Sequence, residues 1–180
     1  MSDAVEDAVE VVAPTAEDTR ALGEQLGRRL RAGDLVVLTG DLGAGKTTLT
    51  QGLADGLGVR GPITSPTFVI ARVHPSLVGG PALVHVDAYR LGSLAEVDDL
   101  DLDASLEDSV TVVEWGEGLV ERLSGDRLEL ALTRPGARSA EGRDAEGRDA
   151  EGPDAERRTA VLRGVGPRWA GSALEGLTGA

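Results

Sequence analysis

The chain has 180 residues, enough for one domain with a real core and too few for two large ones. Hydrophobic residues make up 41% of it but aromatics only 2%, so Val, Leu and Ala must fill the interior. A net charge of −13 excludes phosphate-backbone attraction as the drive for binding nucleic acid unaided, and the lack of cysteine excludes disulfides and thiolate metal sites.

The negative charge is concentrated. Residues 1–10 and 137–156 each carry a net −4, leaving −5 for the rest. No apolar run approaches the roughly 20 residues that span a bilayer. The acidic start lacks the basic and apolar regions of a signal peptide. The expectation is a soluble cytoplasmic protein without membrane contact. All 180 residues read as a single domain, with a disordered acidic N-terminus over about 1–8 and a low-complexity insert over about 137–156.

In chain order, residues 8–12 predict a short strand closed by Pro14. Thr15 follows as an N-cap, with Glu17 and Asp18 in the first turn. Ala21, Leu22, Leu26 and Leu30 recur at helical spacing to about residue 31, and Gly33 is placed at the helix end. Leu35-Val36-Val37-Leu38 is wholly apolar, the pattern of a strand buried on both faces of a parallel sheet. A glycine loop comes next, then a helix over 47–57 with Gly58 past its end. Strands are predicted at 68–73, 82–86, 110–113, 128–133 and 159–165, and helices at 94–102, 118–123 and 168–177. The insert repeats Ala-Glu-Gly-Arg-Asp from Ala140 and holds no apolar residue larger than Ala. It therefore has nothing to bury against the cost of ordering its backbone, and it reads as a solvated hairpin loop.

The loop Gly40-Asp41-Leu42-Gly43-Ala44-Gly45-Lys46-Thr47 satisfies G-x-x-x-x-G-K-[ST] with the required strand before and helix after. Its glycines let successive N–H groups turn inward at an anion, and the helix start adds its positive dipole end. Lys46 is expected to reach the β- and γ-phosphates of a nucleotide and the Thr47 hydroxyl to ligate Mg²⁺. Of 18 basic residues, 17 are Arg, and the single Lys sits in this motif. A compact charge on a flexible stem can reach between phosphates where a planar fork cannot.

Two apolar strands end in carboxylates, Asp87 and Glu114. In an open parallel sheet the ligand crevice lies beyond the strands' carboxyl ends, so either residue could face Mg²⁺ and the γ-phosphate. Each alone could be an ordinary polar strand end, but the pair in a P-loop protein points to function. Thr64-Ser65-Pro66-Thr67 lies where such proteins place a segment that senses the γ-phosphate, although a plain loop fits its composition equally well. His85, interior to a strand, reads as a packed core residue. Trp115 is core or covers the site. Arg90 could neutralise phosphate charge or pair with an acid.

Together, the loop extended to Thr48, Ser65-Pro66-Thr67, Asp87-Ala88-Tyr89-Arg90-Leu91, Val113-Glu114-Trp115 and the upstream Thr19-Arg20-Ala21-Leu22-Gly23 resemble the TsaE family over about residues 10–133. The resemblance implies an α/β fold with a mostly parallel sheet, an antiparallel part and flanking helices. It implies an ATPase that supports threonylcarbamoyl-adenosine formation at position 37 of tRNA through TsaB and TsaD, so that tRNA is met only through those partners. Leu42, Gly43, Ala44, Gly45, Lys46, Thr47, Thr48, Thr67 and Trp115 then match nucleotide-site positions, and Thr19 falls on the side of the base. Thr47, Asp87 and Glu114 match the Mg²⁺ site, with Glu114 and Lys46 serving hydrolysis. The insert lies outside the family pattern.

Two other classes compete with this reading. A GTPase would need an Asn/Thr-Lys-x-Asp segment, which a chain with one lysine cannot supply. A small-molecule kinase would need an Arg-rich lid, whereas the insert is more acidic than basic. A nucleotide-dependent assembly module, working without turnover, fits the same motifs.

Overall fold

The computed structural model describes residues 8–64, 71–88, 105–115, 118, 123–135 and 154–179. Seven strands form one sheet in the order β1-β7-β6-β2-β5-β4-β3. They are β1 (Ala8–Ala13), β2 (Leu35–Thr39), β3 (Ala71–His74), β4 (Ala82–Asp87), β5 (Ser109–Glu114), β6 (Arg127–Thr133) and β7 (Arg158–Val165). Parallel pairing joins the four central strands, β6, β2, β5 and β4. The outer strands β1, β7 and β3 pair antiparallel. The apolar run over residues 35–38 of β2 follows from this position: it lies between β6 and β5 with both faces covered. Val36 and Leu38 enter the larger core, and Leu35 and Val37 enter a second cluster with Val84, Val86 and Val113.

Helix α1 (Ala16–Arg29) starts as expected. Thr15 Oγ1 accepts from the Asp18 N–H at 3.1 Å, and the Thr15 N–H donates back to Asp18 Oδ2 at 3.0 Å, a reciprocal cap. It ends earlier than the expected residue 31. The carboxylate of Asp34 accepts the Arg31 N–H at 2.9 Å, and the Asp34 N–H donates to the Arg31 carbonyl, so a turn replaces the last helical residues. Gly33 sits in that turn at φ 93°. The expected C-terminal helix over 168–177 is also corrected: residues Pro167–Trp169 and Gly171–Leu174 form two short 3₁₀ turns. Ala170 separates them, the second turn opens at Gly171 with φ 70°, and Trp169 is buried beside Gly164. Of the predicted strand 68–73, residues 71–73 lie in β3 and 68–70 lie outside the described residues. So do the predicted helix 94–102, most of 118–123, residues 1–7 and most of the insert.

Helices α1 and α2 (Lys46–Leu57) pack on each other with unusually close backbones. A Cβ on Gly52 would stand 1.9 Å from the Arg20 carbonyl oxygen, and one on Gly56 would stand 2.3 Å from that of Glu24. From the other side, a Cβ on Gly23 or Gly27 would meet the Leu49 or Leu53 carbonyl at 2.2 or 2.3 Å. Because the obstacles are main chain, no rotamer change relieves them. We expect Gly52→Ala to destabilise the fold by about 2–3 kcal/mol through overpacking, despite the better helix propensity of Ala. In a chain of this length that lowers the melting temperature by roughly 5–10 °C, readable by circular dichroism. An unchanged melting temperature would show that the helices can separate without cost.

Candidate functional site

The loop between β2 and α2 takes its shape from glycines at left-handed or otherwise positive φ, Gly40 at 154°, Gly43 at 79° and Gly45 at 99°. At Gly40 space also matters, since a Cβ there would lie 2.8 Å from the Leu132 carbonyl oxygen. Gly45 is the N-cap of α2 and has no side chain to cap it, so the helix opens with backbone N–H groups suited to an anion. Leu42 is 91% exposed, so its contribution to a phosphate site is its backbone. Ala44 is buried under the loop, and Thr47 and Thr48 lie partly buried on the first turn of α2.

Lys46 is only 8% exposed. Its Nζ donates to the carbonyls of Gly40 at 2.6 Å and Asp41 at 3.0 Å, and lies 4.8 Å from the centre of the Trp115 ring. Burial pushes its pKa below the usual lysine value, and the carboxylates of Glu114, Asp41 and Asp87 pull it back up. Trp115 sits at φ 59°, a left-handed conformation costly for a bulky residue. Its N–H donates to the Leu38 carbonyl at 3.1 Å, which ties this turn to the strand that enters the glycine loop.

Strand register brings the two carboxylates together. Asp87 on β4 stands directly opposite Glu114 on β5, and Glu114 is paired in turn with Leu38 on β2. Both carboxylates are therefore level with the start of the glycine loop, and both are buried. The sequence reading of His85 as a core residue is half of the result. It is fully buried, and its Nε2 lies 3.0 Å from Glu114 Oε1. With its proton on Nε2 the imidazole donates to that oxygen, which fixes the carboxylate's rotation and leaves Oε2 for other partners. The signal for this was the period of two: His85 and Asp87 share one face of β4, and Glu114 lies opposite Asp87.

Thr19 is buried against the loop, with its Cγ2 3.7 Å from where a Cβ on Gly45 would stand and its hydroxyl donating to the Thr15 carbonyl. Thr67, with Ser65, Pro66, Tyr89 and Arg90, lies outside the described residues. A residue that sequence reasoning passed over is Arg158 at the start of β7, whose guanidinium donates to the carbonyls of Ala44 and Gly43. A cavity of about 260 Å³ on the other face of the sheet, lined by Val37, Glu129, Val161 and Arg163 among others, contains none of these groups.

The residues fit Mg²⁺ by donor chemistry. Among the described residues no three His, Cys, Asp or Glu side chains gather into a cage. Mg²⁺ characteristically takes one or two carboxylates and completes its shell with phosphate oxygens and water. Asp87, Glu114 and the Thr47 hydroxyl are such a set.

A strand feeding a glycine loop, a helix opened by the lysine and carboxylates on the strands alongside define a P-loop α/β protein. A family model described as threonylcarbamoyl adenosine biosynthesis protein TsaE matches residues 13–143. The TsaE protein of Streptomyces coelicolor is 58% identical over 161 residues, 89% of this chain and 99% of that one. That of Mycobacterium tuberculosis is 59% identical over 128 residues, 67% of this chain and 76% of the relative. The crystal structure of Bacillus subtilis YdiB superposes with a TM-score of 0.65 at 26% identity, covering 92% of this chain and 90% of that one. The chain belongs to the TsaE family. Among the described residues, no helix is long and apolar enough to cross a membrane.

Proposed function

We propose that the chain binds and hydrolyses ATP with Mg²⁺ in support of threonylcarbamoyl-adenosine formation on tRNA, acting together with TsaB and TsaD. One observation carries most of this reading: two buried carboxylates, in register on adjacent strands, flank the only lysine of the chain at the head of the glycine loop. Relatives across several bacterial lineages are named for tRNA threonylcarbamoyladenosine biosynthesis, which supports the tRNA assignment.

In this reading the backbone N–H groups of the loop and of the first turn of α2, that of Ala44 excepted, cradle the phosphates, and Lys46 places its ammonium between the β- and γ-groups. Asp87 and the Thr47 hydroxyl would hold Mg²⁺, which when bound neutralises charge on the phosphate oxygens. Glu114, its Oε1 occupied by His85, turns the remaining oxygen toward the attacking water. The water oxygen bonds to the γ-phosphorus as the bond to the ADP oxygen breaks. The net −13 charge leaves tRNA to the partners, since the chain has no surplus of basic residues to hold a polyanion.

ATP turnover measured with the chain alone, with TsaB and TsaD, and with tRNA and the modification precursors tests this function. The expected result is turnover that rises with the partners and modified tRNA that forms only when the chain is present. A kinase would instead consume ATP only with its own small acceptor. ATP consumption indifferent to TsaB and TsaD, with modification proceeding in the chain's absence, would overturn the proposal.

A further inference from the structure

We infer that Arg158, from outside the sequence motif, is the residue that holds the glycine loop in its phosphate-binding shape, and this rests on the ATP-site reading above. Arg158 is the first residue of β7, beside the P-loop only because β7 pairs with β6 and β6 with β2. Its guanidinium meets four backbone carbonyls. Nε donates to Ala44 at 2.9 Å and Nη2 to Gly43 at 3.2 Å, while Nη1 donates to Ala155 and Arg157, each at 2.8 Å. Two of these acceptors are consecutive peptides of the glycine loop. The other two anchor the arginine to the turn that leads into its strand.

The consequence follows from peptide geometry. In a trans peptide the carbonyl and the following N–H lie in one plane and point in opposite directions. Holding the Gly43 and Ala44 carbonyls on the outer side therefore turns the Ala44 and Gly45 N–H groups away from the guanidinium. The Ala44 N–H closes a turn onto the Asp41 carbonyl at 2.9 Å, and the Gly45 N–H heads the helix that receives the anion. Gly43 and Gly45 flank these peptides at positive φ, where glycine has little preference between orientations. The Gly43–Ala44 peptide is also closed locally on Asp41, so the peptide left free to flip is that between Ala44 and Gly45, and an outside tether selects its arrangement.

The tether needs a fork. A guanidinium presents five N–H donors in a fixed plane and can hold two consecutive carbonyls from one side, whereas an ammonium is a rotating point charge. Burial and the neighbouring Arg134 push the pKa of Arg158 down from its usual value, with Glu156 opposing them, and an arginine keeps its charge throughout the physiological range.

The test compares the full chain with Arg158→Ala, Arg158→Lys and Arg158→Gln, measuring ATP affinity by calorimetry and the melting temperature without nucleotide. The positioning role predicts ATP affinity weakened roughly ten- to hundredfold in the Ala and Lys variants, the scale of losing hydrogen bonds from a charged donor. It also predicts a nucleotide-free melting temperature within a few degrees of the parent, because Arg158 itself is only half-buried and lies outside the hydrophobic core. The Gln variant, able to donate to one carbonyl but not to both, is expected in between, and it carries the test if the Ala variant does not fold. Parent-like affinity in the Ala variant overturns the inference. So does full rescue by Lys, which would show that charge alone suffices. Lys46→Ala measured alongside separates the two readings. If it also binds ATP normally, the ATP-site reading has failed; if it loses ATP while Arg158→Ala does not, only the role of Arg158 has failed.

Discussion

Glu114→Gln is expected to leave ATP binding nearly intact and to slow hydrolysis by about 10²–10³-fold. The glutamate is buried at the end of β5, and one of its oxygens accepts from His85 at 3.0 Å. Glutamine has the same shape and can keep its carbonyl oxygen on His85, so the pocket should not collapse. What it loses is the negative charge on the group facing the attacking water. Calorimetry with Mg·ATP and hydrolysis in the presence of TsaB and TsaD separate three roles. Binding retained with turnover lost assigns Glu114 to water positioning. Loss of Mg·ATP affinity along with turnover assigns it chiefly to the metal. Turnover at the parent rate would falsify the catalytic assignment and reduce Glu114 to a polar strand end. If modification of tRNA survives the block in hydrolysis, binding alone drives the partners and the assembly-module reading takes over.

The parts of this site that were legible in the sequence are those that local chemistry determines. An apolar run, a glycine loop and a helix adjacent in the chain specify β2, the loop and α2 without reference to anything distant. Asp87 and Glu114 were readable as strand-end carboxylates because apolar runs lead directly into them. Their register was not, since nothing in either segment says that β4 lies beside β5 with these residues level. Arg158 was invisible for the same reason in stronger form: 114 positions separate it from Ala44, and a low-complexity insert intervenes. The glycines of α1 and α2 could have been recognised. Gly23 with Gly27, and Gly52 with Gly56, recur at a spacing of four that puts each pair on one helix face. The helical periodicity took no account of them, whereas in the structure they allow the two helices to approach closely. The C-terminal segment was misread because apolar residues at roughly helical spacing outweighed Gly171 and Gly176, both at positive φ in the structure.

Lys46→Ala is expected to abolish tight ATP binding, by an amount that depends on the number of phosphates. The ammonium lies at the head of the loop, held on the Gly40 and Asp41 carbonyls and set among the carboxylates of Glu114, Asp41 and Asp87. A lysine reaching the β- and γ-phosphates makes two charge-assisted contacts, each worth about 1.5–3 kcal/mol. Their loss together weakens ATP by roughly 10²–10⁴-fold. ADP keeps one of the two phosphates concerned and should lose less, and AMP, with neither, should bind the variant and the parent alike. A general folding defect would weaken all three ligands equally, so the gradient distinguishes a missing contact from a damaged loop. The nucleotide-free melting temperature, read alongside, separates this loss from the stability cost of removing a buried ammonium from the Gly40 and Asp41 carbonyls and the Trp115 ring. Undiminished ATP affinity in this variant would remove the phosphate site from the loop, and with it the reason for placing Asp87 and Glu114 at a metal.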